Sequence, residues 1–365
     1  MIYRNYGNTG KEVSVIGFGG MRFRDQSKVD ECSDLVRQAY EAGITYFDTA
    51  PNYGKSEELF GRAFREMNKT RHERPFYVAT KSSRAEPADI RKDLEQSLKR
   101  MHLDYIDFFH VWCVMSLQDY YGRVAKGALR EFERLHHEGL IRHICVSSHM
   151  KGDEVETMLK DFPFEGVLLG YSAMNFSYRE RAVEAAAQKG AGVVVMNPLG
   201  GGLIPQHSER FSFLKTRSEE TVVQAGLRFL INDPRISVAL VGFSTAAQVE
   251  EAISSVVGYQ PISTEQIAVM KANIKASFVE LCTGCGYCDH CPEGIPVPRL
   301  MDAYNHYLLK GEKKALFDRL QWHWSIAKRD AILQACTQCR LCEEACTQHL
   351  PTTERMVEIG KMARS

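Results

Sequence analysis

ITYFDTAPNYG, residues 44–54, is an apolar run that ends in Asp48 and breaks into the turn residues Pro51, Asn52 and Gly54. From Ser56 the chain reads SEELFGRAFREM, in which apolar residues recur at three and four. An apolar run, turn residues and then a helical period make a βα unit. Seven more strand candidates share this pattern: VSVIGFG from Val13, FYVATK from Phe76, YIDFFHVW from Tyr105, HICVSS from His143, GVLLGYS from Gly166, GVVVMNPL from Gly192 and VALVGFS from Val238. Helical periods are equally plain in ADIRKDLEQSLKRM from Ala88, GALREFERLHHEG from Gly127 and TVVQAGLRFLI from Thr221. Strands that are apolar throughout are buried on both faces, and eight of them in parallel, separated by helices, close into a barrel of about 250 residues. The expected fold is therefore α/β, a (β/α)8 TIM barrel. An open doubly wound sheet is the alternative, but Gly17, Gly19 and Gly20 at the end of the first strand lack the G-x-G-x-x-G spacing of a dinucleotide-binding turn.

A chain of 365 residues exceeds what one core normally supports. We expect a barrel over residues 1–260 and a smaller unit over 261–365. With 44% hydrophobic and 25% charged residues the composition is that of a soluble globular protein. Forty-six basic residues balance forty-six acidic ones, which argues against a nucleic-acid partner. The start, MIYRNYGNTGKEV, has no apolar targeting core, and no run of about eighteen apolar residues occurs, so a cytoplasmic location without a membrane partner is expected.

Beyond the eighth unit, ISTEQIAVMKANIKASF opens with capping-box spacing at Ser263 and Gln266 and reads as a bridging helix. PRLMDAYNHYLLK from Pro298 and EKKALFDRLQWHWSIAKRDAILQA from Glu312, split by Gly311, predict a small helical domain. Flanking these helices are CTGCGYCDHCP, with Cys282, Cys285, Cys288 and Cys291, and CTQCRLCEEACTQHLP, with Cys336, Cys339, Cys342 and Cys346. Three thiolates at i, i+3 and i+6 cap three corners of a cubane, and a fourth from elsewhere completes it. Zinc, which prefers two separated C-x-x-C knuckles, is the alternative. Two [4Fe-4S] clusters are expected. By analogy with two-cluster ferredoxins, Cys282, Cys285 and Cys288 would pair with Cys346, and Cys336, Cys339 and Cys342 with Cys291; two self-contained clusters are the other arrangement. The scattered Cys32, Cys113 and Cys145 read as packing residues.

In a barrel of this kind, residues at the C-terminal ends of the strands share one mouth. The second strand ends on Asp48 with Tyr53 just beyond, the third ends on Lys81 and the fourth carries His110. These types suit carbonyl reduction, in which hydride reaches carbon while an acid protonates oxygen. Tyr53 is the candidate acid, with Lys81 expected to lower its pKa, Asp48 to hold Lys81 charged and His110 to orient the substrate oxygen. Trp112, the loop from Val114 to Lys126 and the stretch from Gln206 to Arg217 are expected to shape the substrate pocket.

The D-T-A-x-x-Y-G run with the strand-end Lys and His resembles the tetrad of the aldo-keto reductases, and the resemblance extends over residues 1 to about 260. It implies that Ser147 and Ser148 in VSSHM and Tyr171 in GYSAMN meet the nicotinamide. It further implies that Asn197, Pro198, Leu199, Gly200 and Gly201 in MNPLGGG cradle the pyrophosphate, with Gly20 and Met21 alongside. Gly242, Ser244, Gln248 and Glu251 in VGFSTAAQVEE would then meet the adenosine. Leu168 stands where the family usually has a carboxamide-binding Gln, and no Lys or Arg lies between Phe243 and Ala252 to grip a 2′-phosphate, so either NADP(H) or NAD(H) is expected. With its cysteine-rich tail the chain resembles the iron–sulfur branch of these enzymes. Because nicotinamide moves two electrons and a cubane one, the leading expectation is a carbonyl or alcohol oxidoreductase whose clusters exchange electrons with a ferredoxin-like or flavoprotein partner. The competing one is an electron-transfer or redox-sensing subunit that turns over no small substrate.

Overall fold

The computed structural model describes residues 1–174, 176–275, 280–326 and 333–364. Strands β1 (Tyr3–Asn5) and β2 (Glu12–Ser14) form an antiparallel hairpin. Eight parallel strands then close a barrel: β3 (Ile16–Gly19), β4 (Tyr46–Asp48), β5 (Tyr77–Ser82), β6 (Ile106–Val114), β7 (Ile141–Ser148), β8 (Gly166–Gly170), β9 (Gly192–Met196) and β10 (Val238–Gly242), the last pairing back onto β3. The run expected as one strand from Val13 is divided between β2 and β3. Ser14 causes the break: its hydroxyl donates to the Ile16 carbonyl at 2.6 Å and accepts from the Thr45 amide at 2.9 Å, which bends the chain out of the hairpin. The helix Ser56–Met67 follows β4 as expected, and Val222–Ile231 is capped at Thr221 by reciprocal bonds with Gln224.

Side chains alternate along a strand, and that alternation builds the site. Tyr46, Ala79, Phe108, Cys145, Leu168 and Val194 face the barrel interior, while Phe47, Val78, Phe109, Val146, Val167 and Val195 face the helices. Tyr6, just after β1, is fully buried and closes the floor, its ring stacking 4.0 Å from Phe108. A Cβ at Gly166 or Gly192 would lie 2.2 or 2.4 Å from the Tyr6 side chain, so both strands must begin with glycine. Two residues above the interior layer, the alternation delivers Asp48, Lys81, His110, Ser147, Gly170 and Met196 to the mouth.

The bridging helix spans Thr264–Lys275, with the Ser263–Gln266 capping box formed by two 3.2 Å bonds. Ile262 and Met270 join the barrel's core, so this helix straps onto the barrel. A separate core of Val297, Leu300, Met301, Leu316, Leu320 and Ile359 organises the C-terminal unit around the helices Val297–Lys310 and Thr352–Arg364. The long helix expected from Glu312 runs only through Lys313–Asp318 and a π-helical turn, Arg319–His323. Asp302 stops it by accepting 2.7 Å bonds from both Arg319 and Trp324, and Ser325 turns away at φ +57°; residues 327–332 of the expected helix lie outside the described residues. No helix among the described residues is long and apolar enough to cross a membrane.

Candidate active site and cluster sites

Lys81 and Asp48 lie at the top of the barrel interior, 0% and 2% exposed, and Lys81 Nζ donates to Asp48 Oδ1 and to the Thr49 carbonyl, each at 2.6 Å. Burial pulls the ammonium's pKa down and pushes the carboxyl's up, and each charge offsets the other's shift. Lys81 Nζ also stands 5.2 Å from the centre of the Tyr53 ring, and Trp112 meets that ring edge-on at 5.7 Å. His110 is the register neighbour of Lys81 across β5 and β6. It is fully buried, neither ring nitrogen has a well-formed hydrogen bond, and burial with the Lys81 charge pushes its pKa down to about 3. A neutral imidazole therefore stands beside Lys81 at the mouth. The structure brings all four residues together.

One expectation about them is corrected. Tyr53 is held well above the ordinary phenol pKa, by burial first and then by Asp48. The Lys81 ammonium does not outweigh these influences, because it is paired at 2.6 Å with the carboxylate that also acts on the phenol. The phenol accordingly keeps its proton at neutral pH, the form an acid needs.

Strand alternation sorts the expected nicotinamide contacts. Ser147 shares the interior parity of Cys145, and its buried hydroxyl has no partner, leaving an orphaned group ready for a carboxamide. Ser148 faces the other way: its hydroxyl accepts from the Met150 amide at 3.1 Å and lies 3.4 Å from the Val114 carbonyl. Tyr171 has the parity of Val167 and Leu169, so it is buried in the layer between strands and helices, where Glu180, Asp233 and Arg235 act on it. It does not reach the mouth; the side chain that β9 sends toward the interior is Met196. Gly20 is also explained otherwise, since a Cβ there would meet Ser56 Oγ at 2.2 Å, while Met21 is 42% exposed.

The remaining expected cofactor residues converge. Asn197, Pro198, Leu199, Gly201, Gly242, Ser244, Gln248 and Glu251 line one cavity of about 270 Å³. Gly200 lies beside it at φ +62°, against Met174. Arg22, which the sequence reading did not single out, lines the same cavity; its carbonyl accepts from Ser244 Oγ at 2.7 Å. Its position directly after Met21 was the available signal. It brings to this cavity the cation that residues 243–252 lack.

The cysteines sort into two sets of four. Cys282, Cys285, Cys288 and Cys346 act on one another electrostatically, and Cys291 lines a small cavity with Cys336, Cys339 and Cys342, which Cys288 also borders. Each set holds three thiols of one group and one of the other. The Asn305 side chain bonds both the amide and the carbonyl of Cys282, at 2.8 and 2.7 Å, and amide or hydroxyl donors reach the sulfurs of Cys282, Cys346 and Cys342. Burial pushes the Cys282 and Cys288 thiols up to about 12, so they become thiolates only against a compensating positive charge. Among the described residues no three His, Cys, Asp or Glu side chains close around one ion. All-sulfur donor sets that draw three thiols from one run and one from the other suit cubanes better than zinc.

The C-terminal unit sits on the barrel's mouth. Gly201, at φ +68°, packs so closely that a Cβ would lie 2.0 Å from the Thr283 carbonyl, and Arg22 donates to the Gly284 carbonyl at 3.2 Å. The fully buried Arg179 donates to the Thr347 carbonyl at 2.9 Å. On β6 a bulge after Val111 leaves Cys113 at φ +61°. This cysteine, expected as core packing, instead stands at the mouth beside Tyr287 of the first cysteine group.

A closed eight-stranded barrel with a Lys–Asp pair, a phenol and a neutral histidine at its mouth defines a (β/α)8-barrel oxidoreductase fused to a two-cluster domain. Residues 15–275 match the Aldo/keto reductase family and residues 281–351 a 4Fe-4S dicluster domain. The chain belongs to the aldo/keto reductase family. It is 28% identical over 296 residues to L-galactose dehydrogenase from Arabidopsis thaliana, covering 72% of this chain and 90% of the relative. It is 24% identical over 332 residues to L-glyceraldehyde 3-phosphate reductase from Escherichia coli K12, covering 75% and 92%. The fold matches that of a holo-form aldo-keto reductase from Bacillus halodurans with a TM-score of 0.65 at 22% identity, over 76% of this chain and 97% of the other.

Proposed function

We propose that this protein interconverts a small carbonyl and its alcohol using NADP(H) or NAD(H). In this reading residues 1–260 do the chemistry and 261–365 hold two [4Fe-4S] clusters, which exchange electrons with a ferredoxin-like or flavoprotein partner. The observation that carries it is the convergence of Asp48, Tyr53, Lys81 and His110 on one spot at the barrel mouth. When bound, the nicotinamide supplies or accepts the hydride. The neutral His110 N–H orients the carbonyl oxygen toward Tyr53. Tyr53 gives its phenolic proton to that oxygen as hydride reaches the carbon, and the Lys81 ammonium stabilises the phenolate left behind. Asp48 keeps Lys81 charged and pointed. Ser147 is the candidate for the carboxamide, and the cavity bounded by Asn197, Gly201, Ser244 and Arg22 for the phosphates and adenosine. Cys282, Cys285, Cys288 and Cys346 would hold one cluster and Cys291, Cys336, Cys339 and Cys342 the other. Exposure of Cys339 favours the second as the outlet to a partner.

The test is aldehyde-dependent oxidation of NADPH and NADH by the cluster-loaded protein under anaerobic conditions. Turnover of short aldehydes supports the reading. Nicotinamide that binds while no aldehyde or alcohol is turned over would reject it.

A further inference from the structure

Tyr287 lies inside the first cysteine group, two residues after Cys285 and one before Cys288, yet its side chain belongs to the barrel's mouth. Its ring packs edge-on against His149 at 5.4 Å. Its hydroxyl lies near Cys113 and Trp112, and it stands close enough to Tyr53 to act on that phenol. Trp112 is the same ring that meets Tyr53 edge-on. The backbone leading into it is fixed: Thr283 abuts Gly201, Arg22 holds the Gly284 carbonyl, and Cys285 Sγ lies 3.3 Å from the Thr347 hydroxyl. A side chain placed this way has no packing role in its own domain, whose core forms around other residues.

We infer that Tyr287 is a specificity-determining residue that walls the carbonyl site over Tyr53, so that loading of the first cluster sets the shape of the substrate space. The inference rests on the proposed carbonyl chemistry. Ligation of Cys285 and Cys288 pins the backbone on both sides of Tyr287, and loss of that ligation frees the wall. Substrate size is then read partly by a residue that the barrel does not supply. No redox step is needed, because the cluster acts by holding the loop.

The test uses the cluster-loaded full chain with Tyr287→Ala and Tyr287→Phe, cluster content being checked by visible absorbance. Two readouts are taken: the rate of Cys113 alkylation by iodoacetamide, mapped by peptide mass, and kcat/KM for propanal against benzaldehyde. Tyr287→Ala is expected to raise Cys113 alkylation and the benzaldehyde-to-propanal ratio at least about tenfold, the usual scale of a pocket-shape effect. Tyr287→Phe, which keeps the wall and loses only the hydroxyl, should stay within about twofold of wild type in the ratio. Wild-type protein depleted of iron should show the raised Cys113 alkylation without any mutation. An unchanged alkylation rate and ratio in Tyr287→Ala, or a Phe variant that matches it in the ratio, overturns the inference. If wild type reduces neither aldehyde, the carbonyl reading falls, and the alkylation arm alone still decides whether Tyr287 covers this cavity.

Discussion

Lys81 and Asp48 form an ion pair of 2.6 Å almost sealed from solvent. Removing one partner of such a pair leaves a buried charge unmatched, which costs about 3–5 kcal/mol. Lys81→Met is therefore expected to lose both activity and stability, whereas Lys81→Met with Asp48→Asn recovers much of the stability and none of the activity. Denaturant unfolding set beside kcat separates the two effects; a double variant no more stable than the single one contradicts the pairing.

Tyr53 is the proposed acid. Tyr53→Phe should lower kcat for aldehyde reduction by about a hundred- to ten-thousand-fold and leave nicotinamide affinity within a few fold, as followed by fluorescence titration. A variant with ordinary turnover removes Tyr53 from the chemistry.

Two fully buried histidines contribute to the pH dependence of stability. His110 and His149 are each held at about 3, well below the ordinary 6.5, by burial first and then by a neighbouring cation. Between these values the unfolded chain binds protons that the folded one refuses, so their contribution is fully present above pH 6.5 and is lost as pH falls toward 3. Urea midpoints should drop between pH 7 and pH 5, and drop less in His110→Phe. Identical slopes in both proteins would show that His110 is not buried neutral.

Gly201→Ala tests how the two units meet. Alanine at φ +68° costs about 1–2 kcal/mol, and its methyl would strike the Thr283 carbonyl next to Cys282. We expect a lower melting temperature and a perturbed cluster spectrum. A variant with wild-type values for both would mean that this contact is loose.

Ligand pairing is open to iron analysis. Cys346→Ser and Cys285→Ser should remove the same cluster, and Cys339→Ser and Cys291→Ser the other, each halving bound iron. If Cys346→Ser instead matched Cys339→Ser in its spectrum, each cysteine group would hold its own cluster.

Much of this architecture was legible in the sequence because the barrel obeys local rules. Apolar runs and helical periods marked the eight units, and strand-end positions brought out Asp48, Lys81 and His110 through simple alternation. The same rule, applied one residue more carefully, separates Ser147 from Ser148 and takes Tyr171 out of the mouth, since parity with Val167 and Leu169 turns it toward the helices. What could not be read was set by contacts distant in sequence. Asp302 ends a helix whose own composition would continue it. Arg22 joins a cavity otherwise built from residues 197–252, and Tyr287 is delivered to the barrel by a loop whose local pattern speaks only of metal.

Tyr6 plugs the barrel's lower end, with its ring stacked on Phe108 and two glycines closed around it. In the proposed reaction Tyr53 is therefore reprotonated from the mouth, the side on which substrate would also enter and product leave.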